Sequence, residues 1–237
     1  MQQGKVTAHH HAEFSDLIFN QLTGEFHATG PGVIESTFPE EGRGARLTSS
    51  QRATAKANVP AKATTNSYVH IQARFIGELT GNQQKGFVQL RQHVRGVFGP
   101  VRELSERISI DGLGVEELPE NTGSLGCENL SISQIPGTAD GSPSFSLVAE
   151  CNPAGTGRGT RSPCRLESQL LSGDADKITY DHSKHRFLLK AEEGRQANVS
   201  HRTNNGQRGS FVGRQFAYDV DSNELTANQI TGVQASE

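Results

Sequence analysis

A hairpin pattern recurs along this chain and limits what it can fold into. In Tyr180-Asp181…Phe187 an aromatic residue precedes Asp, and a second large apolar residue falls seven positions after the first. Tyr218-Asp219…Leu225 repeats the pattern with Asp221-Ser222-Asn223 at the turn, and Phe19-Asn20…Phe26 repeats it with Thr23-Gly24. Thr80-Gly81…Phe87 keeps the spacing but loses the aromatic. In the fullest copy Ile178 and Tyr180 alternate with Lys177 and Thr179, the period of two of a half-buried strand. Asp181-His182-Ser183-Lys184 then supplies turn chemistry, because Asp and Ser side chains bond nearby backbone. Phe187, Leu189 and Ala191 share one face of the returning strand. The unit is an antiparallel hairpin with one apolar face.

The stretches between the hairpins read as further strands. Val69, Ile71, Ala73 and Phe75 face one way and His70, Gln72 and Arg74 the other, the alternation of a sheet wet on one side. Phe87 to Phe98 places Val88, Leu90 and Val94 together and is expected to stop at Gly99-Pro100. Glu106 to Gly112 alternates through Ile108 and Ile110; Cys127 to Ile135 is another strand, and Ser144 to Cys151 groups Phe145, Leu147 and Ala149. No stretch has a helical period, although Val101 to Arg107 can make a single turn. The motif aromatics at Phe19, Tyr180 and Tyr218 are too unevenly spaced for a solenoid. The expected fold is all-β, an open antiparallel β-jelly roll of two facing sheets. Residues 1–12 read as a flexible leader and 13–237 as a single domain, with loop insertions near 39–66 and 136–163.

The hairpins and their flanks resemble the OstA-like (organic-solvent-tolerance) family of lipopolysaccharide-transport proteins, of the LptA and LptC type. The carriers are A-D-K-I-T-Y-D-H-S-K-H-R-F-L-L-K-A at 175–191 and Q-F-A-Y-D-V-D-S-N-E-L-T-A-N-Q-I at 215–230. G-E-F-H-A-T-G-P-G-V at 24–33 and G-F-V-Q-L-R-Q-H-V at 86–94 carry it more weakly. The motif holds no invariant chemical group, so the resemblance concerns a fold and its use rather than an active site. It implies two facing sheets whose apolar interior shelters acyl chains of lipopolysaccharide or another acylated amphiphile, in the periplasm or cell envelope. On the apolar phase of the strands, the lipid-binding residues would be Ile71, Phe75, Ile178, Tyr180, Phe187, Leu189, Tyr218 and Leu225. Unpaired sheet edges would allow pairing with further copies or with related jelly rolls. A structural envelope module without ligand and a carbohydrate-binding β-sandwich are the competing readings. The absence of Trp, with only 3 Tyr, counts against the latter.

Composition agrees with a thin core. Hydrophobic residues make up 33% of the 237 and charged residues 21%, with a mean hydropathy of -0.56. A net charge of -3 gives no basic footprint for nucleic acid. Met1-Gln2-Gln3-Gly4-Lys5 leads into His9-His10-His11 without an apolar signal segment, whereas the resemblance implies an exported protein, so the expectation is that this chain is a fragment of a longer one. Cys151 and Cys164 bracket N-P-A-G-T-G-R-G-T-R-S-P, and a disulfide between them would stabilise by roughly 3 kcal/mol in the chain-entropy model. Two unpaired thiols are the alternative, and Cys127 has no evident partner.

Other constellations carry no chemistry. Asp219-x-Asp221-x-Asn223 opens like a calcium loop but has Glu224 where Gly is needed and Ile230 where Glu is needed, so a hairpin turn explains it. Gly155 to Ser162 lacks the Gly-Lys-Ser/Thr ending of a phosphate cradle. His182 and His185 lie in one turn, while His70 and His93 are expected on wet faces. No Ser sits in a nucleophile elbow. The expectation is a protein that is not an enzyme and uses no cofactor or metal.

Overall fold

Tyr180 stands directly opposite Phe187, Tyr218 opposite Leu225 and Phe19 opposite Phe26. In all three copies the seven-residue spacing therefore closes a hairpin on its own apolar pair. The degenerate copy closes more tightly, with Asn82 facing Phe87 and Thr80 facing Gln89. The computed structural model that gives these registers describes residues 8–39, 68–111, 118–119, 122–135, 144–151, 162–203 and 205–236. Most of the 39–66 insertion and of the Gly155 to Ser162 run lies outside the described residues.

The strands are β1 (His9–Glu13), β2 (Asp16–Phe19), β3 (Glu25–Thr29), β4 (Gly32–Pro39), β5 (Tyr68–Phe75), β6 (Glu78–Asn82), β7 (Phe87–Val101) and β8 (Gly123–Ile135). They continue with β9 (Ser144–Glu150), β10 (Cys164–Ser168), β11 (Leu171–Ala175), β12 (Lys177–Asp181), β13 (Arg186–Lys190), β14 (Ala197–Arg202), β15 (Arg208–Asp219) and β16 (Glu224–Ser236). All pair antiparallel in one 16-stranded sheet. β1 takes the His triplet, in the stretch read as a leader, into the sheet against β4.

Four long strands bend and divide this sheet into two leaves. β7 pairs with β6 over Phe87–Leu90 and with β5 over Arg95–Val101. Between the two segments its register against β8 slips, and Gln92 and His93 adopt φ of 65 and 52. β15 likewise pairs β14 before its bulge at Val212/Gly213 and β13 after it, and Gln229 of β16 turns at φ 56. β8 pairs β10 with its first half and β9 with its second. A row of corners results, continued by Gly30-Pro31, Ile76-Gly77 and Asp176 between shorter strands. Gly30 is required there, because a Cβ would lie 2.4 Å from the Ile76 carbonyl oxygen. One leaf holds β1, β4, β5, β10, β11 and β14 and the other β2, β3, β6, β9, β12 and β13, with the four long strands running through both. Val88, Leu90 and Val94 pack in a single core between the leaves, as their phase in the sequence indicates.

The outer face of the first leaf departs from the sequence reading. His70 and Gln72 are buried rather than wet, because residues 102–111 fold back over them. The backbone N–H of Ile110 donates to Gln72 Oε1 at 3.1 Å, and Arg74 forms a two-point ion pair with Asp111. Ile108 and Leu118 pack on Val97 and Val101 in a second, smaller core. Residues 106–111 are thus an irregular strap, not a strand, and Val101 to Arg107 makes no helical turn. The alternation of Ile108 and Ile110 reflects burial against the sheet rather than membership of it. Gly99-Pro100 does not end β7, which runs on to Val101. His93 is exposed, as expected.

Candidate functional site

The interior is built from two apolar ladders that cross the strands. In the second leaf one ladder passes from Leu17 through Ala28, Leu79, Leu90 and Leu130. It continues through Ala149, Ile178, Leu189, Phe216 and Ala227. In the first leaf the facing ladder runs from Ala12 through Ile34, Ala73, Gly96 and Leu125 to Leu166, Gly173, Val199, Phe211 and Val233. Neither contains a polar side chain. Each exists because inward positions alternate along every strand while register aligns them across strands. The second-leaf ladder ends at Leu17, 54% exposed, and the first-leaf ladder at Val233, 60% exposed, so the apolar interior reaches solvent at both edges of the sheet.

All eight residues assigned to the interior from sequence lie on strands, and none is exposed. Phe75, Ile178, Phe187, Leu189 and Tyr218 are buried; Ile71, Tyr180 and Leu225 are half-buried. Tyr180, Phe187, Tyr218 and Leu225 stand in one cross-strand row. Tyr218 donates its hydroxyl to Asn223 Oδ1 at 2.9 Å, and Asn223 also bonds His201 Nε2 at 2.9 Å, so this buried phenol is satisfied. Burial pushes the Tyr218 phenol up to about 12, with the Asp219 charge adding to the effect. Asp219 Oδ1 accepts the Ser222 N–H at 3.0 Å, so the calcium-like run is a hairpin turn.

Opposite the corners, the leaves meet along an aromatic seam. Phe38 of β4 packs edge-on against Phe145 of β9 with centroids 6.3 Å apart, and Phe98 of β7 lies 6.1 Å from Phe187 of β13. Phe145 stacks on His182 at 4.5 Å, and Tyr180 packs on Phe187 at 4.5 Å. His182 is therefore half-buried in the seam rather than a solvated turn residue. Phe38, Phe98 and Phe145 escaped the sequence reading as site residues because their partners are distant in the chain. The alternation of Phe145, Leu147 and Ala149 indicates their shared face, but nothing local signals what Phe145 meets.

Along the corner ridge runs a cavity of about 940 Å³ lined by Phe14, Val33, Ile76, Cys127 and Glu128 among others. Its floor carries Arg74, Arg95 and Arg165, which register places in one row with Gly126 between the last two. Arg74 is engaged by Asp111, and Arg165 by Glu167 at 2.7 Å. No disulfide joins Cys151 and Cys164; all three cysteines are thiols. Among the described residues no group of three or more His, Cys, Asp or Glu is arranged to hold a metal ion, and no helix is long and apolar enough to cross a membrane.

The arrangement defines an all-β protein of two facing antiparallel leaves around an apolar interior. No family model matches the chain, and no curated protein matches it. Among solved structures it is similar to LptH from Pseudomonas aeruginosa, described as the LptA-homologous periplasmic component of the conserved lipopolysaccharide transport device. The two are 12% identical with a TM-score of 0.38, over 70% of this chain and 94% of that one.

Proposed function

We propose that this protein is a non-enzymatic carrier that shelters the acyl chains of an amphiphile, lipopolysaccharide or a similar lipid, between its two leaves within the cell envelope. The observation that carries the reading is the pair of apolar ladders, unbroken from edge to edge and ending in exposed Leu17 and Val233. A protein stabilised only by its core gains nothing from continuing that core into solvent at its edges. Each methylene transferred from water into such an interior contributes roughly 0.8 kcal/mol, so even a partly inserted acyl chain binds firmly. The aromatic seam is the entry, since its half-buried rings separate solvent from the interior. Ile71, Phe75, Ile178, Tyr180, Phe187, Leu189, Tyr218 and Leu225 would line the path. The resemblance of the hairpins to the OstA-like family makes lipopolysaccharide the first amphiphile to test, and the edge strands are where another jelly roll or a second copy would pair.

The test is uptake of a fluorescent fatty-acyl probe and its displacement by lipopolysaccharide or lipid A. Phe187→Asp and Phe75→Asp should abolish uptake, whereas Lys190→Gln, an exposed position on the same strand as Phe187, should leave it unchanged, with circular dichroism confirming that every variant folds. A wild-type protein that takes up no probe and co-purifies with no lipid would replace this reading with that of a structural sheet module.

A further inference from the structure

Between β9 and β10 the chain leaves the corner row at Cys151 and returns to it at Cys164. Register sets those two residues side by side. Glu150 faces Lys177, and the Cys151 N–H donates to the Asp176 carbonyl at 3.0 Å, so Cys151 stands beside Asp176. Cys164 faces Ala175. Ala175 and Asp176 are consecutive, with Cα atoms ~3.8 Å apart, so the two cysteines occupy neighbouring positions at the corner, the placement a disulfide requires. Their sulfurs converge on the same residue. Cys151 Sγ lies 3.5 Å from Asp176 Oδ1, and Cys164 Sγ lies 3.7 Å from the Asp176 carbonyl oxygen.

The other neighbour supplies a third sulfur. Asn129 of β8 faces Glu150, and Gly126 faces Arg165. The β8 residues beside the two cysteines are therefore Cys127 and Glu128, with Cys127 in line with Cys164. Cys151 and Cys164 are buried members of the main core, whereas half-buried Cys127 packs against that core and also lines the ridge cavity.

We infer that Cys127, Cys151 and Cys164 form one three-thiol redox centre in which Cys164 is the shared partner: it bonds Cys151 when the protein folds in an oxidising compartment, and Cys127 can take over that bond. Formation joins the two sulfurs and releases two protons and two electrons, which reduce a disulfide oxidant; with oxidised glutathione the products are the intrachain disulfide and two reduced glutathiones. Take-over needs no oxidant. The Cys127 thiolate attacks the Cys164 sulfur, the Cys151–Cys164 bond breaks, and Cys151 leaves as a thiolate that takes up the proton Cys127 lost. Burial pushes the Cys127 thiol up to about 12, with the Glu128 charge adding, and burial also raises Cys164. Thiolates are therefore scarce once the core has closed, so take-over belongs to the folding chain, and the finished pairing, Cys151 with Cys164, is held.

The experiment refolds the full chain in a glutathione redox buffer, alkylates remaining thiols, and maps the products by mass spectrometry without reduction. The expected wild-type product has Cys151 linked to Cys164 and only Cys127 alkylated. Cys151→Ala should shift the bond to Cys127–Cys164, and Cys164→Ala should leave no intrachain disulfide. Three alkylated cysteines in the refolded wild type, or a wild-type bond that omits Cys151 or Cys164, overturns the assignment. So does a Cys127–Cys151 bond in Cys164→Ala. The wild-type map decides the pairing even if a variant does not fold, and none of these outcomes depends on whether the protein binds lipid.

Discussion

Removing either partner of the Asp176–Arg195 pair should destabilise the protein, but unequally. Asp176 closes the corner between β11 and β12. Its carboxylate is 2% exposed; it accepts Arg195 Nη1 at 2.6 Å through Oδ1 and the Glu192 N–H at 2.8 Å through Oδ2. Arg195 is 35% exposed. Arg195→Met strands a charge from which water is excluded, leaving the Glu192 N–H and the Cys151 thiol as its remaining partners. Breaking a buried pair in this way costs about 3–5 kcal/mol. Asp176→Asn leaves the cation behind, but water reaches it, and an amide oxygen can still accept from Glu192. The loss is then near that of one charge-assisted hydrogen bond, about 1.5–3 kcal/mol. Urea unfolding at neutral pH under reducing conditions, for both single variants and the double variant, measures each cost and the coupling between them. The larger loss is expected for Arg195→Met, with a coupling above about 1 kcal/mol. Equal losses, or a greater one for Asp176→Asn, would show that solvent exposure does not set the asymmetry.

Three further outcomes follow from other parts of the molecule. Leu189, fully buried in the second-leaf ladder, should lose about 2–5 kcal/mol on truncation to Ala, read as a lower urea midpoint at unchanged m-value; a loss under 1 kcal/mol would mean that the ladders are loosely packed. Gln229→Gly should stabilise by about 0.5–1 kcal/mol, because Gln229 is an exposed residue at φ 56, where a side chain is unfavourable; a loss of stability in the same titration would reverse that view of the corner. Burial holds the His70 imidazole below its ordinary value, with nearby Arg107 and His9 acting in the same sense and Glu35 opposing them. The unfolded chain therefore binds the extra proton first, so this contribution is intact above pH ~6.5 and is lost as pH falls through the lowered folded value. His70→Gln should flatten the acid side of the stability profile, and an unchanged profile would place the acid sensitivity elsewhere.

Much of the strand content was legible because it is local. The apolar pairs of three hairpins could be read from spacing, since both members lie on one short segment and the turn between them fixes the register. The fourth hairpin misled for the same reason: without an aromatic at Thr80, nothing marked the shift that pairs Asn82 with Phe87. The wet-face reading of His70 and Gln72 failed because alternation reports that two faces differ, not what covers the second one. Ile108 and Ile110 carry a strand-like rhythm but spend their apolar side chains capping Val97 and Val101 and the sheet around them. Nothing local to Asp174-Ala175-Asp176 marks Asp176 as paired, and only the corner brings it to Arg195. Cys127 had no sequence neighbour to suggest its alignment with Cys164, because β8 and β10 meet only through the completed sheet.

Four strands that pass uncut through the corner row also set the mechanics of the molecule. A sliding of one leaf past the other would have to break the ladders of β7, β8, β15 and β16 on both sides at once. Rotation about the corner row breaks none of them; it only changes the backbone angles at residues such as Gln92, His93 and Gln229, which already sit outside the extended region. The compliant motion of this fold is therefore that of a book on its binding. The aromatic seam, lying farthest from the axis, travels the greatest distance for a given rotation, so a small change of angle at the spine becomes a wide gap at the fore-edge.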